Sequence, residues 1–341
     1  MKVLLLHLDG KLPNIALMRI AAHHRALGHE VSFRRTPTPA AVEPELGDDF
    51  DRVYASAIFE RTRPVAERLL EVRPDAIVGG TGWDVGRTLE QVGVMTQAQD
   101  YSLYPRFRPS IGFSQRGCRL KCDFCVVPRK EGGVRDAQHI HAIWRGEGHP
   151  RQILLLDNDF FGAPGWRDRV TELREGGFRV CFSQGINARM LSEGAAAAIA
   201  SLDYRDDSFT RKRIYTAWDS RGDEGTLFRG LDRLRAAGVA PDHVMVYMLI
   251  GYWAGETHAD RDYRRARLRA WGARPYPMPF ARTMELLGFA RWVIGAYDKK
   301  IPWEEWTRAR YQPAGLGDRS GAQKHLPLLG LDVDEAGPEL S

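Results

Sequence analysis

Short apolar runs of strand length alternate with amphipathic segments of helix length along most of this chain. Such alternation predicts parallel strands joined by helices, and therefore an α/β fold. In the first part of the chain it predicts strands at residues 3–6, 30–34, 52–57 and 76–78, and helices at 14–27 and 64–70. Because these strands and helices alternate, we expect a mainly parallel, doubly wound (Rossmann-like) domain there.

The same alternation continues from residue 101 to residue 297, where six strand–helix units follow one another. The predicted strands of this part cover residues 110–114, 152–156, 178–182, 213–218, 244–250 and 273–278. Helices follow them, for example at residues 166–175 and 192–201, and the last helix is expected at 286–297. Six units are too few for a closed eight-stranded barrel.

Length and composition favour a soluble enzyme with two domains. The chain has 341 residues, of which 43% are hydrophobic and 27% are charged, as is typical of globular proteins. No apolar run reaches membrane-spanning length, and four cysteines, three of them clustered, indicate a reducing cytoplasm rather than disulfides. The net charge of +5 permits a nucleic-acid or other anionic partner without requiring one. We therefore expect a cytoplasmic protein with no membrane partner.

The chemistry that stands out is a group of three cysteines, Cys118, Cys122 and Cys125, spaced as CxxxCxxC. Thiolates are the ligands of iron–sulfur clusters, and three of them on a four-iron cluster leave one iron open for chemistry. Two other interpretations give the same spacing: core cysteines on one helical face, or a zinc site with Cys181 as the fourth ligand. Charged residues between the cysteines disfavour a core, and the lack of two close cysteine pairs disfavours zinc. We therefore expect an iron–sulfur site.

This motif, with the aromatic Phe124 directly before the third cysteine, resembles the signature of the radical S-adenosylmethionine (SAM) superfamily. The resemblance implies a [4Fe–4S] cluster held by the three cysteines, with SAM bound to the iron that has no protein ligand. An external donor of the flavodoxin or ferredoxin type would reduce the cluster, and cleavage of SAM would release a 5′-deoxyadenosyl radical. Phe124 is then counted among the cofactor-binding residues. The six strand–helix units resemble the open (β/α)6 partial TIM barrel of that superfamily.

The part of the chain before this core resembles the cobalamin-binding-like domain that often precedes a radical SAM core. In that family the loop after the first strand carries Asp-x-His-x-x-Gly, whose histidine ligates cobalt. Here the loop at residues 7–14 has no histidine at the required place, so we expect a degenerate domain and disfavour cobalamin. His7, His23 and His24 are interpreted as ordinary strand-end and helix residues. The predicted domains are 1–98 (cobalamin-binding-like), 99–298 (radical SAM core) and 299–341 (C-terminal tail).

The ends of the predicted strands carry the residues that the resemblance assigns to SAM, since the active groups of βα barrels project from the C-terminal ends of strands. The amino group would bind after the second strand, the carboxylate at an arginine in a polar cluster after the third, the ribose after the fourth and the adenine after the fifth. The residues assigned to the amino group are Asp157, Asn158 and Asp159, and those of the polar cluster after the third strand are Gln184, Asn187 and Arg189. The ribose is assigned to Asp219, and the adenine to Gly251 and Glu256. Each also has a simpler interpretation as a turn or helix-cap residue.

The cysteine loop at residues 122–132 is similar to that of tRNA methylthiotransferases, and so is the stretch at 251–257. Those enzymes carry three more cysteines in their N-terminal domain, which this chain lacks. They also end in an RNA-binding β-barrel, and we expect none after residue 297. The resemblance therefore covers the SAM core and does not extend to the substrate.

A run of arginines in the helix after the fifth strand is interpreted as a solvated face with Asp260 and Asp262 as partners, and a phosphate-binding face is the alternative. The arginines are Arg261, Arg264, Arg265, Arg267 and Arg269. Cys181, in the middle of the third strand, is expected to be a buried core residue. We thus predict a cytoplasmic radical SAM enzyme that modifies an unidentified substrate. The alternative is a non-catalytic iron–sulfur or zinc module that binds nucleic acid.

Overall fold

The computed structural model of the protein describes residues 1–42 and 49–310, and side chains of that range as far as residue 307. Strands and helices alternate along it, and parallel pairing predominates in its sheets, which confirms the predicted α/β class. Contacts between residues divide the described chain into two units. The first comprises Met1–Arg108 with Cys122–Lys130, and the second comprises Pro109–Lys121 with residues 131–310.

The first unit contains a four-stranded sheet in which all neighbouring strands are parallel. Its strands are β1 (Lys2–His7), β2 (Glu30–Arg35), β3 (Arg52–Ser56) and β4 (Ile77–Gly79). Helix α1 (Ile15–Ala26) connects β1 to β2, and helix α2 (Arg63–Val72) connects β3 to β4. The strand order is β2-β1-β3-β4, so the direction of winding changes between β1 and β3.

Strand β1 is apolar on both faces because both faces of its sheet are covered. Leu4 and Leu6 pack in one hydrophobic cluster with α2, whereas Val3 and Leu5 pack in another with α1. Asn14 precedes α1 and caps it, since its side-chain oxygen accepts a hydrogen bond from a backbone N–H of the first turn at 3.1 Å. These contacts fix the loop that follows β1.

The second unit contains two sheets of parallel strands and one short antiparallel pair. Its strands are β5 (Ser110–Gly112), β6 (Gln115–Arg116), β7 (Arg135–Asp136), β8 (Gln152–Leu155), β9 (Arg179–Phe182), β10 (Asp203–Tyr204), β11 (Ile214–Ala217), β12 (Val244–Ile250) and β13 (Arg274–Pro279). The parallel sheets have the orders β10-β9-β8-β5 and β11-β12-β13, and β6 pairs with β7. The N–H of Ile186, after β9, donates to the carbonyl of Tyr215 in β11 at 2.7 Å and links the two sheets.

Helices follow the main strands of this unit and pack against them in one hydrophobic cluster. They are α5 (Trp166–Glu175), α6 (Glu193–Ala200), α7 (Glu224–Ala236), α8 (His258–Trp271) and α9 (Met284–Ile294), with the short helix α4 (Ile140–Ile143) between β5 and β8. The short helix α3 (Val127–Glu131) belongs to the first unit except for its last residue. The last described helix is α10 (Trp303–Arg310). Most of the predicted tail at 299–341 lies outside the described residues.

All six strands predicted for this part are present, and their bounds differ from the prediction only at the ends. Strand β5 ends at Gly112 rather than at Ser114, because the N–H of Ser114 donates to the carboxylate of Asp157 at 2.8 Å instead of to a neighbouring strand. Strands β6, β7 and β10 were not predicted. Each has only two residues, which is too short for a periodic pattern to reveal.

Candidate functional site

The cysteine motif lies on a loop that begins where β6 ends, and none of the four cysteines of the chain is in a disulfide. Gly117 makes the turn into the motif with a φ of +79°, and a side chain there would collide with the carbonyl group of Gly133. The N–H of Cys118 donates to the carbonyl of Gly132 at 3.3 Å, and the N–H of Leu120 donates to Cys118 Sγ at 3.4 Å. The backbone of Cys118 is therefore fixed, and its half-buried sulfur already accepts one hydrogen bond.

The other two cysteines of the motif lie in a tight turn, in which the N–H of Cys125 donates to the carbonyl of Cys122 at 3.0 Å. Both are half-buried, as is Phe124. Among residues 1–42 and 49–310, no three His, Cys, Asp or Glu side chains are gathered as ligands of a single metal ion. This finding does not bear on a four-iron cluster, because each thiolate of such a cluster binds a different iron.

Cys181 lies fully buried in β9, as expected for a core cysteine. Burial raises the pKa of its thiol well above the ordinary value. A thiol of this kind stays protonated at neutral pH, whereas metal ligands and nucleophiles are thiolates. Cys181 is therefore the natural control for experiments on the three cysteines of the motif.

The first of the three polar residues after β8 is Asp157, whose carboxylate is buried against Ser114. It accepts hydrogen bonds from the backbone N–H of Ser114, at 2.8 Å, and from its hydroxyl group. Burial raises the pKa of Asp157 to about 7, and the hydrogen bonds from Ser114 offset only part of that effect. Asp157 thus ties the end of β8 to the segment that leads from β5 to the cysteines.

The next two residues also contact the cysteine loop and its flank. The carboxylate of Asp159 accepts from Arg119 through Nε at 2.7 Å, Nη2 at 2.9 Å and the backbone N–H at 3.1 Å. Asn158 Nδ2 donates to Glu131 Oε2 at 3.2 Å. All three residues predicted to receive the SAM amino group therefore have partners within the chain. Their contact with SAM stays a prediction.

The loop after β9 carries the predicted residues Gln184, Asn187 and Arg189. Arg189 Nη1 pairs with Asp223 Oδ2 at 2.8 Å, and Gln184 Nε2 donates to the hydroxyl of Ser183 at 3.4 Å. Asn187 Nδ2 is buried and has no hydrogen-bond partner within the described part of the chain. A buried amide donor without a partner costs free energy, so Asn187 marks a position where an acceptor atom of a ligand or water would be stabilised.

Asp219, just after β11, belongs to the same group of charges. Burial raises the pKa of Asp219 to about 6, while Arg189 lowers it, Asp223 raises it and Arg264 lowers it. Arg189 and Asp223 therefore lie close enough to Asp219 to shift its pKa, at the ends of β9 and β11. A carboxyl group with a pKa near 6 exchanges its proton close to neutral pH, which suits proton transfer as well as hydrogen bonding.

Gly251 and Glu256 are joined by the turn that follows β12. Gly251 has a φ of +78°, and its N–H donates to Glu256 Oε2 at 2.5 Å. The other oxygen of Glu256 bonds to Arg264, which also donates to the carbonyls of Trp218 at 3.0 Å and Leu249 at 2.9 Å. Arg264 thus ties together the ends of β11 and β12. Its role was not predicted from the sequence.

The prediction of a solvated arginine face on α8 was wrong for the two arginines that face the core. Arg261 and Arg264 are only 5% and 1% exposed, and both pair with Glu256. The spacing of the sequence could have revealed them, because they extend, at intervals of three and four residues, the buried stripe of Leu268 and Trp271.

The other arginines of α8 are paired as well. Arg265 and Arg269 bond to the fully buried carboxylate of Asp298, and Arg267 pairs with Glu224. The alternative of a nucleic-acid-binding module relied on this helix as a basic face. Because its arginines are bound to carboxylates of the same chain, the structure offers that alternative no support.

The histidines of the first unit are within or beside regular elements, as expected. His7 ends β1, with its ring centroid 6.4 Å from that of Phe33 and 5.8 Å from that of Tyr104. Its Nδ1 lies 3.1 Å from the hydroxyl of Tyr104, and burial lowers its pKa to about 4. His24 is also buried, with Nε2 3.1 Å from the hydroxyl of Tyr54. Nε2 of His7 is buried and has no hydrogen-bond partner among the described residues, and cobalt binding by this ring stays untested.

Comparison of the chain with protein-family models, with curated proteins and with solved structures found no match. Within the described ranges, none of the helices combines the length and the apolar character needed to cross a lipid bilayer. The cysteine motif and the polar residues at the ends of the strands are therefore the features of this chain that point to a function.

Proposed function

We propose that this chain is a radical SAM enzyme in which Cys118, Cys122 and Cys125 hold a [4Fe–4S] cluster and SAM binds at the open iron. The observation that carries the proposal is the CxxxCxxC motif, which follows the first parallel strand of the second unit. When bound and reduced by a flavodoxin- or ferredoxin-type donor, the cluster supplies the electron that cleaves SAM into methionine and a 5′-deoxyadenosyl radical. That radical would abstract a hydrogen atom from a substrate that is not identified.

We also propose a finer description of the fold, with a Rossmann-like first unit and an open (β/α)6 partial TIM barrel in the second. Two observations support the partial barrel. Six strands of the second unit (β5, β8, β9, β11, β12 and β13) belong to its two parallel sheets, with helices after each. The hydrogen bond from Ile186 to Tyr215 continues the series across the gap between those sheets. For the first unit, the order β2-β1-β3-β4 is that of a doubly wound sheet.

The residues of the chain fit the proposed cofactors. Three half-buried thiols that form no disulfide are the kind of donor set that a cluster requires. For SAM, the unpartnered amide of Asn187 and the guanidinium of Arg189 supply donors to carboxylate or ribose oxygens. Asp219, when ionised, would accept hydrogen bonds from ribose hydroxyls. Phe124, Gln184, Gly251 and Glu256 remain assigned to the same cofactor.

Anaerobic reconstitution tests the cluster. We expect about four irons and four sulfides per chain, with brown absorbance that is lost in Cys118→Ala, Cys122→Ala and Cys125→Ala. Cys181→Ala is the matched control and should keep its iron, since this thiol is buried in β9. Stoichiometric zinc without iron, in protein purified without oxygen, would contradict the proposal and support the zinc module.

Turnover tests the SAM chemistry. With a strong reductant, the loaded protein should convert SAM to 5′-deoxyadenosine and methionine, measured by chromatography. Asn187→Ala and Arg189→Ala should weaken SAM binding and leave the iron content unchanged, because both residues follow β9 and are more than sixty residues from the cysteines of the motif in sequence. If protein that carries the cluster forms no 5′-deoxyadenosine with any tested substrate pool, the result would favour the non-catalytic module over the enzyme.

A further inference from the structure

We propose that two buried carboxylates, those of Glu131 and Asp159, are positioning residues that hold the turn at residues 117–119 in the conformation in which Cys118 binds the cluster. The inference rests on the proposed function and goes beyond it, because it gives a role to side chains that are not assigned to iron. Side chains from outside the turn accept hydrogen bonds from the backbone N–H groups of the residues before and after Cys118.

Glu131 holds the residues before the cysteine. Its Oε2 accepts from the N–H of Gly117 at 2.9 Å and from Asn158 Nδ2 at 3.2 Å, and its Oε1 pairs with Arg116 Nη2 at 2.8 Å. The Glu131 side chain is only 7% exposed. The N–H of Gly117 would otherwise lack a partner, since its left-handed conformation turns the chain away from β6. Glu131 therefore stabilises the backbone immediately before Cys118.

Asp159 holds the residues after the cysteine. Its carboxylate binds both the backbone N–H and the guanidinium of Arg119, as described above. The N–H of Asp159 donates to Gln115 Oε1 at 3.1 Å, and Gln115 Nε2 donates in turn to the carbonyls of Arg116 and Gly117 at 2.8 and 2.5 Å. Asp159 is thus bonded to residues on both sides of Cys118, namely Gln115 before it and Arg119 after it.

The charges of this arrangement balance. Two carboxylates next to the residues that flank Cys118 would oppose the build-up of negative charge on its thiolate, unless cations offset them. Glu131 is paired with Arg116 and Asp159 with Arg119, so each carboxylate brings its own cation next to the motif. The pairs therefore fix the backbone without adding net charge. A turn fixed in this way loses less conformational entropy when the cysteine binds metal, and loss of such supporting contacts weakens metal binding by about 10- to 100-fold in other sites.

Two measurements on full-length protein test the inference. In protein that has not been reconstituted, hydrogen–deuterium exchange of the peptide around residues 115–121 should be faster in Glu131→Ala and Asp159→Ala than in wild type. In reconstituted protein, the same variants should release iron to a chelator about tenfold faster or more. Glu131→Gln should fall between, because its amide oxygen still accepts from Gly117 while the charge that pairs with Arg116 is lost.

Asp298→Asn is the matched control, since Asp298 is another fully buried carboxylate paired with arginines in the same unit. It should release iron at the wild-type rate even if it lowers the melting temperature. The inference is overturned if the Glu131 and Asp159 variants keep wild-type exchange or wild-type iron release, or if Asp298→Asn accelerates release as much as they do. Wild-type protein that binds no iron would instead refute the proposed function, and the positioning role with it.

Discussion

At the residue scale, burial raises the pKa of two carboxyl groups at the ends of the strands, those of Asp219 and Asp157. Asp219, with a pKa of about 6, lies in the field of Arg189 and Arg264, which favour its charged form. Asp157, with a pKa of about 7, accepts hydrogen bonds from the N–H and hydroxyl of Ser114 and lies in the field of Arg116, all of which favour its charged form. Burial outweighs them, so the ionised form of Asp157 costs the folded protein free energy that these neighbours only partly offset.

We predict that Asp157→Asn is stabilised relative to wild type as the pH rises. The folded pKa of about 7 lies above the unfolded value of about 4, so the folded state binds the proton more tightly and loses stability as pH rises through that window. The penalty is complete above about pH 7 and reaches at most about 4 kcal/mol, at about 1.4 kcal/mol for each pKa unit. Relative to wild type, Asp157→Asn should therefore gain stability between about pH 4 and about pH 7.

Denaturant unfolding of both proteins at several pH values measures this difference, in which the contributions of all other groups cancel. A difference that is the same at about pH 4 and about pH 8 would show that Asp157 titrates normally. The sequence predicted that Asp157 and Asp159 follow a strand end, because an apolar run precedes them. It did not predict their partners, since Ser114 and Arg119 are about forty residues away and only the pairing of β5 with β8 brings them close.

At the element scale, helix α8 has one feature that its local sequence predicts, its N-terminal cap, and one that depends on tertiary structure, the burial of Arg264. Thr257 and Asp260 form a reciprocal cap at its N-terminus, which local sequence suffices to suggest. Arg264 is different, because its spacing from Leu268 and Trp271 places it on the buried face of the helix whereas its charge favours solvent. Its burial depends on Glu256, whose position is set by the turn at Gly251 and therefore by tertiary structure.

A second prediction compares two arginines of that helix. Arg264→Ala removes one of the two arginines that pair with the buried carboxylate of Glu256, and it removes the donor to two strand-end carbonyls. We expect it to destabilise the protein by about 3 kcal/mol, the lower end for a broken buried ion pair, because Arg261 still pairs with Glu256. Arg267→Ala is the matched control, because Arg267 pairs with Glu224 at the surface, and should cost about 1 kcal/mol or less. Thermal and denaturant unfolding measure both. Equal losses in the two variants would show that Arg264 contributes no more than a surface ion pair.

At the scale of the whole molecule, the sequence predicted the fold class and the main strands because many of those strands, such as β1, β8 and β12, are apolar runs between polar turns. It predicted the polar residues at strand ends for the same reason. What it lacked were the contacts that tertiary structure creates, such as the enclosure of His7 by Phe33 and Tyr104. Those contacts decide whether a residue at a strand end is free to bind a ligand.

The last prediction concerns cobalamin in the first unit. The loop after β1 is bonded to the loop after β3, since Asp9 accepts from the N–H groups of Ile58 and Phe59 at 2.8 Å and Asn14 Nδ2 donates to Ser56 Oγ at 2.8 Å. His7 is buried and its Nδ1 contacts Tyr104, so we expect this loop to offer no imidazole to cobalt. Protein purified with hydroxocobalamin should therefore retain no corrinoid, or retain one without nitrogen ligation from the protein. Absorbance and electron paramagnetic resonance spectra decide between these outcomes and the contrary one, a tightly retained corrinoid whose nitrogen ligation disappears in His7→Gln.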